Sequence, residues 1–393
     1  MSSKIKVLYI PSWYPNRHSA SIGQFFRRQA LALREKYELI VLYVGFSPLN
    51  KEKFETECSR EDGLTVYRIY IKGNVTFFIS NIFDLRNLLI AYWKGFRIIK
   101  KEMGYVSGVH ICVTDPAGLI GFLWFKLKRI PYIIYDVSSV FLQADGRYYS
   151  FKRFRKYLIA LVIRNAKAIA VVATPLKNAM LRHKLRANYF IIPPTAFERK
   201  EFFPPQKKNS SLIKMLHVSN LDARAKNPRL MIKAVYEVSK IRTDFVLDIV
   251  TGNKEMKREL EKYAEELNIR TGLIRYHENK KNDAEIGDIM RQADFFILTS
   301  NYDTFATVVS ESLACGVPAI ITRCEGPEDY VTEECGIIAE PGNEEQMIKA
   351  VLYMLDNHQK YNRQKIAAYA QQKFSKETFV KQVGDLYEKY FAS

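Results

Sequence analysis

Residues 293–318 read ADFFILTSNYDTFATVVSESLACGVP. An apolar strand ends at Thr299 and Ser300, a polar loop follows, and a helix begins near Thr307. Asp303 lies in the loop and Glu311 on the first turns of the helix. The amides of Phe305, Ala306, Thr307 and Val308 fall where a helix start leaves N–H groups without partners. Such groups, together with the helix dipole, form an anion site. Ala314, Gly316 and Pro318 allow close packing and a sharp exit into the next strand. The same residues also describe a helix capped by Asp303 with Glu311 in solvent.

Working outward, short apolar runs alternate with amphipathic stretches. Strands are predicted at Lys4–Ile10, Leu39–Val44, Leu64–Ile71, Val109–Val113, Tyr132–Asp136, Ala168–Ala173 and Tyr189–Ile192. Helices are predicted at Gln24–Arg34, Asp84–Lys101, Gly118–Lys128, Lys152–Asn165 and Leu176–Lys184. The second half repeats the plan. Its strands are Lys214–Val218, Phe245–Val250, Leu273–Tyr276, Asp294–Leu298 and Pro318–Ile321. Its helices are Pro228–Lys240, Lys254–Leu267, Asp283–Gln292 and Thr307–Cys315. This alternation predicts parallel sheets with helices on both faces.

Paired prolines at 193–194 and 204–205, then the polar run Gln206–Ser211, mark a linker. The predicted units are an N-terminal Rossmann-like domain (1–205), a second doubly wound domain (206–374) and a C-terminal helix (375–393). Ser375, followed by Glu377 and Thr378, starts that helix, which is expected to cross back onto the first domain. Two such domains leave a cleft between the carboxyl ends of their sheets, where doubly wound sheets bind ligands.

Composition narrows the class. Hydrophobic residues at 48% and charged residues at 26% suit a soluble globular chain. No apolar run is long enough to span a bilayer. The start, MSSKIKVLYIPSWYP, lacks a secretory signal pattern, so the expected location is cytoplasmic. The five cysteines form no CxxC pair and are expected to be reduced and mostly buried. No His, Asp or Cys cluster has metal-ligand spacing. The net charge is +18, unevenly spread: residues 1–205 hold 33 Lys/Arg against 14 Asp/Glu, and the remainder 27 against 28. A basic half points to an anionic partner, such as an anionic membrane leaflet or nucleic acid, or to a basic soluble surface. No nucleic-acid-binding motif is present, and the expected partners exclude nucleic acid.

The segment 303–318 resembles the donor-site signature of the retaining GT-B glycosyltransferases of the large fourth sequence family, the group 1 type. That signature is an acid, seven residues, a glutamate, then Ala-x-Gly-x-Pro. Asp303, Glu311 and ACGVP (314–318) match it. PSWYP (11–15), GQFF (23–26) and QALAL (29–33) are similar to the family's first strand, glycine loop and helix. VHICVTDPAG (109–118) resembles its acceptor-side loop. LHVSNL (216–221) and KNP (226–228) resemble the opening of its second domain. The resemblance implies two Rossmann-like domains facing across a cleft.

It also implies roles. Asp303 would contact the donor sugar and Lys226 would neutralise the leaving diphosphate; these are the two catalytic candidates. Glu311 would bind the ribose. Gly23 would let the backbone approach the diphosphate, and the amides of Phe305, Ala306 and Thr307 would help to hold the sugar and diphosphate. Transfer would be metal-independent and need no cofactor beyond the nucleotide sugar.

Three positions depart from the pattern. The first acid is Asp303 rather than glutamate. An arginine position carries Asn220, leaving the diphosphate to Lys226 and Arg224. A histidine position carries Val137. Asp136, just before it, takes a polar acceptor role or caps its strand. His110 and Asp115 are placed to face the cleft as acceptor contacts, and a strand-end histidine is also commonly structural.

Two segments, 76–101 and 147–157, mix aromatic and basic residues. Both suit an interfacial surface with aromatic bodies at headgroup depth, or a core helix with a basic edge. The expected protein is a retaining, hexosyltransferase-like enzyme. It would use a nucleoside-diphosphate sugar and a saccharide or lipid-linked acceptor in surface polysaccharide biosynthesis, peripheral to the inner face of the plasma membrane. The alternative is a catalytically weak nucleotide-sugar-binding or scaffold protein.

Overall fold

Fourteen strands form two sheets in the computed structural model, which describes residues 4–20, 22–74, 82–118, 122, 125, 128–194, 202–205, 212–278 and 283–392. The first sheet contains β1 (Lys6–Pro11), β2 (Glu38–Ser47), β3 (Phe54–Glu61), β4 (Leu64–Lys72), β5 (Gly108–Cys112), β6 (Tyr132–Asp136), β7 (Ala168–Val171) and β8 (Tyr189–Ile191). Their order is β3-β4-β2-β1-β5-β6-β7-β8. The second contains β9 (Ile213–Val218), β10 (Phe245–Thr251), β11 (Ile274–Glu278), β12 (Phe295–Leu298), β13 (Ala319–Thr322) and β14 (Gly336–Ala339), in the order β11-β10-β9-β12-β13-β14.

All pairings are parallel except β3 with β4. The central strands are buried along their whole length, as parallel strands covered on both faces must be. Their sequences are therefore continuous apolar runs, which is why the sequence pattern locates them.

Two strands were not read from the sequence. β3, FETECSRE, is half-exposed and rich in charge, so it carries no apolar period. It pairs antiparallel at the sheet edge, where charges discourage further pairing. β14 has only four residues. The predicted helix Gly118–Lys128 lies mostly outside the described residues. Residues 76–81 and the polar run Gln206–Ser211 lie outside them too.

The last helix, Lys376–Phe391, starts at Ser375, whose hydroxyl accepts from the Thr378 amide at 3.2 Å. Phe379, Val383, Tyr387 and Phe391 form its buried face. That face lies on the first sheet. Tyr387 meets Tyr37 edge-on at 4.9 Å, and Phe379 meets Tyr135 edge-on at 5.9 Å. Phe391 fills the space where Gly108 has no side chain: a Cβ there would stand 2.2 Å from its ring. The chain thus leaves the second sheet and ends beside strand β5 of the first.

This packing decides where His110 points. Side chains alternate along a strand, so His110 shares the face of Gly108 and Cys112. Helix Lys376–Phe391 covers that face. His110 is fully buried, with Nδ1 2.6 Å from the Tyr387 hydroxyl and its ring against Tyr9 at 4.9 Å. Burial pulls its pKa down to about 3. The expectation that His110 faces the cleft is therefore corrected: it is a neutral core residue beneath the last helix.

Candidate active site between the sheets

Each sheet reverses its strand order beside its first strand. β1 lies between β2 and β5, and β9 between β10 and β12. Such switch points open a crevice at the carboxyl ends of the strands. A cavity of about 500 Å³ occupies that place between the sheets. Trp13 follows β1, and Val113 and Asp115 follow β5. Ser219 and Asn220 follow β9, and Tyr302 to Val308 follow β12; all line the cavity. Its size suits a ligand the size of a nucleotide or larger.

Lys226 and Asp303 meet at its second-domain wall. The Lys226 ammonium donates to Asp303 Oδ2. Asp303 Oδ1 accepts from the amides of Phe305 (3.1 Å) and Ala306 (2.8 Å). Burial raises the Asp303 pKa, but Lys226 and the two amides outweigh it and hold the carboxyl below its usual range. Burial likewise disfavours the charged lysine, and Asp303 overrides that, leaving its pKa raised. Two amides read from sequence as free anion donors are thus engaged by Asp303. Phe305, Ala306 and Thr307 nevertheless line the cavity.

The loop is held in shape from behind. The Tyr330 hydroxyl donates to the carbonyls of Phe305 (2.6 Å) and Ala306 (2.9 Å). Ala306 takes a left-handed conformation, φ 55°, before helix Thr307–Ala314. Thr304 reaches across the cleft and donates to the Val137 carbonyl at 3.0 Å. Val137, where the family resemblance implies a histidine, therefore contributes its backbone carbonyl to a domain contact.

Glu311 is one turn beyond Thr307 on the same helix and is buried. It is not among the cavity-lining residues. Arg28, on helix Gln24–Arg34 of the first domain, brings Nη1 to 3.8 Å from Glu311 Oε1.

Gly23 also lies off the cavity wall, although its neighbours Trp13 and Phe25 line it. Gly23 has φ 67°, and a Cβ there would stand 2.4 Å from the Trp13 carbonyl oxygen. Glycine is required here by the approach of Trp13.

On the first-domain wall Asp115 is held by Arg155. Arg155 Nε donates to Asp115 Oδ2 at 3.0 Å, and Nη2 donates to the same oxygen. Asp115 Oδ1 is buried without a hydrogen-bond partner. Burial raises the Asp115 pKa, against the charge of Arg155. Asp115 lines the cavity.

Asp136 is corrected to the strand-end cap. It is fully buried and accepts from Thr114 N (2.9 Å), Thr114 Oγ1 (2.6 Å) and Ser138 N (2.8 Å). It does not line the cavity. Asn220 does, with its Oδ1 accepting from Asp222 N at 3.2 Å. Arg224 is exposed and is not among the cavity-lining residues; its Nη2 donates to the Asp145 carbonyl of the first domain.

Sequence reading missed Arg28 and Asp145, and placed Arg147 only in a basic aromatic cluster. Arg147 lines the cavity from the first-domain side. Among the described residues no group of three or more His, Cys, Asp or Glu is arranged to hold a metal ion. None of the described helices is long and apolar enough to cross a membrane.

Two doubly wound sheets whose switch points face a shared cavity have the GT-B arrangement. Residues 198–372 match the family described as glycosyl transferases group 1. It is 22% identical to a UDP-Gal:alpha-D-GlcNAc-diphosphoundecaprenol alpha-1,3-galactosyltransferase of Escherichia coli, over 79% of this chain and 83% of that one. Its fold is similar to sucrose-phosphate synthase from Thermosynechococcus elongatus, with TM-score 0.77 at 17% identity over 98% of this chain and 99% of that chain. It is also similar to HepE of Anabaena in complex with UDP and glucose, with TM-score 0.72 at 15% identity over 98% and 100%.

Proposed function

We propose that this glycosyltransferase moves a hexose or related sugar, with retained anomeric configuration, from a nucleoside-diphosphate sugar to a lipid-linked saccharide. The observation that carries the reading is the Lys226–Asp303 pair on the wall of the interdomain cavity. A cation held at that point neutralises charge as a diphosphate leaves, where electrostatic stabilisation acts most strongly. Asp303 then turns to the donor sugar hydroxyls, and Glu311 takes the ribose. Asp115 Oδ1 accepts from an acceptor hydroxyl. Lys226 and the loop amides take the place of a divalent ion, and the nucleotide sugar is the only small molecule required.

The lipid-linked acceptor is supported by the Escherichia coli relative, whose name describes a sugar on diphosphoundecaprenol. UDP as the nucleotide is supported by that name and by the HepE complex. We place the reaction in surface polysaccharide assembly, at the cytoplasmic face of an anionic membrane. Exposed Tyr149, Phe154 and Tyr157 beside Lys152, Arg153 and Lys156 favour that setting.

A second reading, a nucleotide-sugar binder of low turnover, is favoured by Val137 and Asn220, which depart from the histidine and arginine that the family resemblance implies. The deciding experiment incubates the protein with UDP- and GDP-sugars and diphosphate-lipid saccharides, with and without EDTA. Product of retained configuration by NMR, insensitive to EDTA, is expected. Donor binding with no transfer across the acceptor panel supports the binder instead.

A further inference from the structure

We propose that Arg147 is a phosphate-binding residue of the cavity, positioned by Asp145. The Asp145 side chain has no solvent exposure, and it grips Arg147 with both oxygens: Nε to Oδ1 at 2.6 Å and Nη2 to Oδ2 at 2.6 Å. Ser139 closes the cluster, donating to Asp145 Oδ2 at 2.7 Å and accepting from Arg147 Nη2 at 3.0 Å. Gly146, with φ 74°, turns the chain so that residues 145 and 147 can meet.

Burial alone would raise the Asp145 pKa. The hydrogen bonds from Arg147 and Ser139 and the charge of Arg147 hold it below the usual range instead. Arg147 is therefore a fixed cation with 42% of its side chain exposed, on the cavity wall.

Arg224 comes from the second domain, with Nη2 donating to the Asp145 carbonyl and lying 3.9 Å from Oδ1. One buried carboxylate is thus shared by two guanidiniums, one from each domain. The other nearby carboxylate, Asp222, accepts from Ala225 N at 2.7 Å as the cap of its turn.

A phosphate at this cavity needs such a cation. Lys226 already faces Asp303, and Asn220 is uncharged. A guanidinium offers a planar fork matched to phosphate oxygens, and a pre-ordered one loses little freedom on binding. Two phosphates can reach it: the donor's diphosphate, and the phosphate of a lipid-linked acceptor. The inference rests on the proposed function for these sources, but phosphate binding itself is measurable without transfer.

The test is calorimetry of inorganic pyrophosphate and UDP with wild type, Arg147→Gln and Arg147→Lys, each checked for an unchanged melting temperature. Arg147→Gln is expected to weaken binding about tenfold, with Arg147→Lys intermediate. The transfer assay then compares KM for a diphosphate-lipid saccharide and for the same saccharide on an uncharged alkyl chain. Weaker UDP binding with both KM values unchanged assigns the donor's diphosphate. A rise in KM confined to the phosphate-bearing acceptor assigns the acceptor. Ser139→Ala, which loosens Arg147 without removing it, is expected to reproduce the weaker phosphate binding in part. Arg147→Gln equal to wild type in pyrophosphate affinity and in both KM values overturns the assignment. Weaker pyrophosphate binding in a protein that transfers no sugar keeps this inference and removes the function reading.

Discussion

Arg28 of the first domain and Glu311 of the second face each other at 3.8 Å across the interdomain boundary. Glu311 is therefore a buried carboxyl group with a cationic neighbour, on the helix that follows the cavity loop. Its proposed partner is the ribose of the donor. Glu311→Ala is expected to weaken UDP or GDP binding at least about tenfold, since a hydrogen bond to a charged group contributes about 1.5–3 kcal/mol. Isothermal titration calorimetry measures this directly. Unchanged affinity for both nucleotides would remove Glu311 from the donor site.

Lys226 separates binding from chemistry. Its role in the proposed reaction is to meet charge that develops on the leaving diphosphate. Lys226→Ala is expected to lower kcat by about 100-fold or more, the scale seen when one oxyanion-stabilising group is lost. KM for the donor should move less. A variant whose KM rises while kcat stays at the wild-type value would show that Lys226 only binds substrate.

His110 makes a prediction about pH rather than activity. Its pKa falls from the ordinary value of 6.5 to about 3 through burial. The unfolded chain therefore takes up a proton below pH 6.5 that the folded chain refuses until about pH 3. Stability from this group is full above pH 6.5 and falls as pH drops, by about 1.4 kcal/mol per pH unit in that window. The rings facing His110, Tyr9, Tyr135 and Tyr387, are neutral there. His110→Phe should flatten the unfolding free energy between pH 6 and 4.5 by about one proton. Identical slopes in denaturant titrations of the two proteins would place His110 outside the core.

These cases show which parts of the site a sequence can carry. Asp303, the loop amides and Glu311 lie within nine residues, so their spacing encodes one strand, loop and helix. Parallel strands were legible because burial on both faces makes them continuously apolar. Arg28 and Arg147 were not legible as site residues, since their roles depend on contacts with groups far along the chain or across the cleft. His110 sits in the middle of β5 and Asp136 at the end of β6, and sequence names each residue but not the face or partners it takes. Helix Lys376–Phe391 settles the first, and Thr114 with Ser138 settles the second. β3 was hidden because an edge strand keeps its charges.

The aromatic and basic surface offers a test independent of catalysis. Residues 147–165 contain six Lys/Arg and no Asp/Glu. Phe154 and Tyr157 are 70% and 62% exposed on the helix Arg153–Asn165, and Tyr149 is 58% exposed just before it. Large exposed aromatics among cations lack a folding reason, because burying each would add about 1.5–3 kcal/mol. A membrane interface supplies both an apolar boundary for the rings and anionic headgroups for the cations. The same segment carries Arg147 and Phe151 onto the cavity wall, so lipid contact would bring a lipid-linked acceptor to the site. Phe154→Ser with Tyr157→Ser is expected to cut partitioning onto vesicles of 30% phosphatidylglycerol by about tenfold, with the melting temperature unchanged. Raising salt should weaken wild-type binding, as exposed charges are screened over about 10 Å at 0.1 M. Equal sedimentation of wild type and the double variant with these vesicles would show that the segment is not the membrane-facing surface.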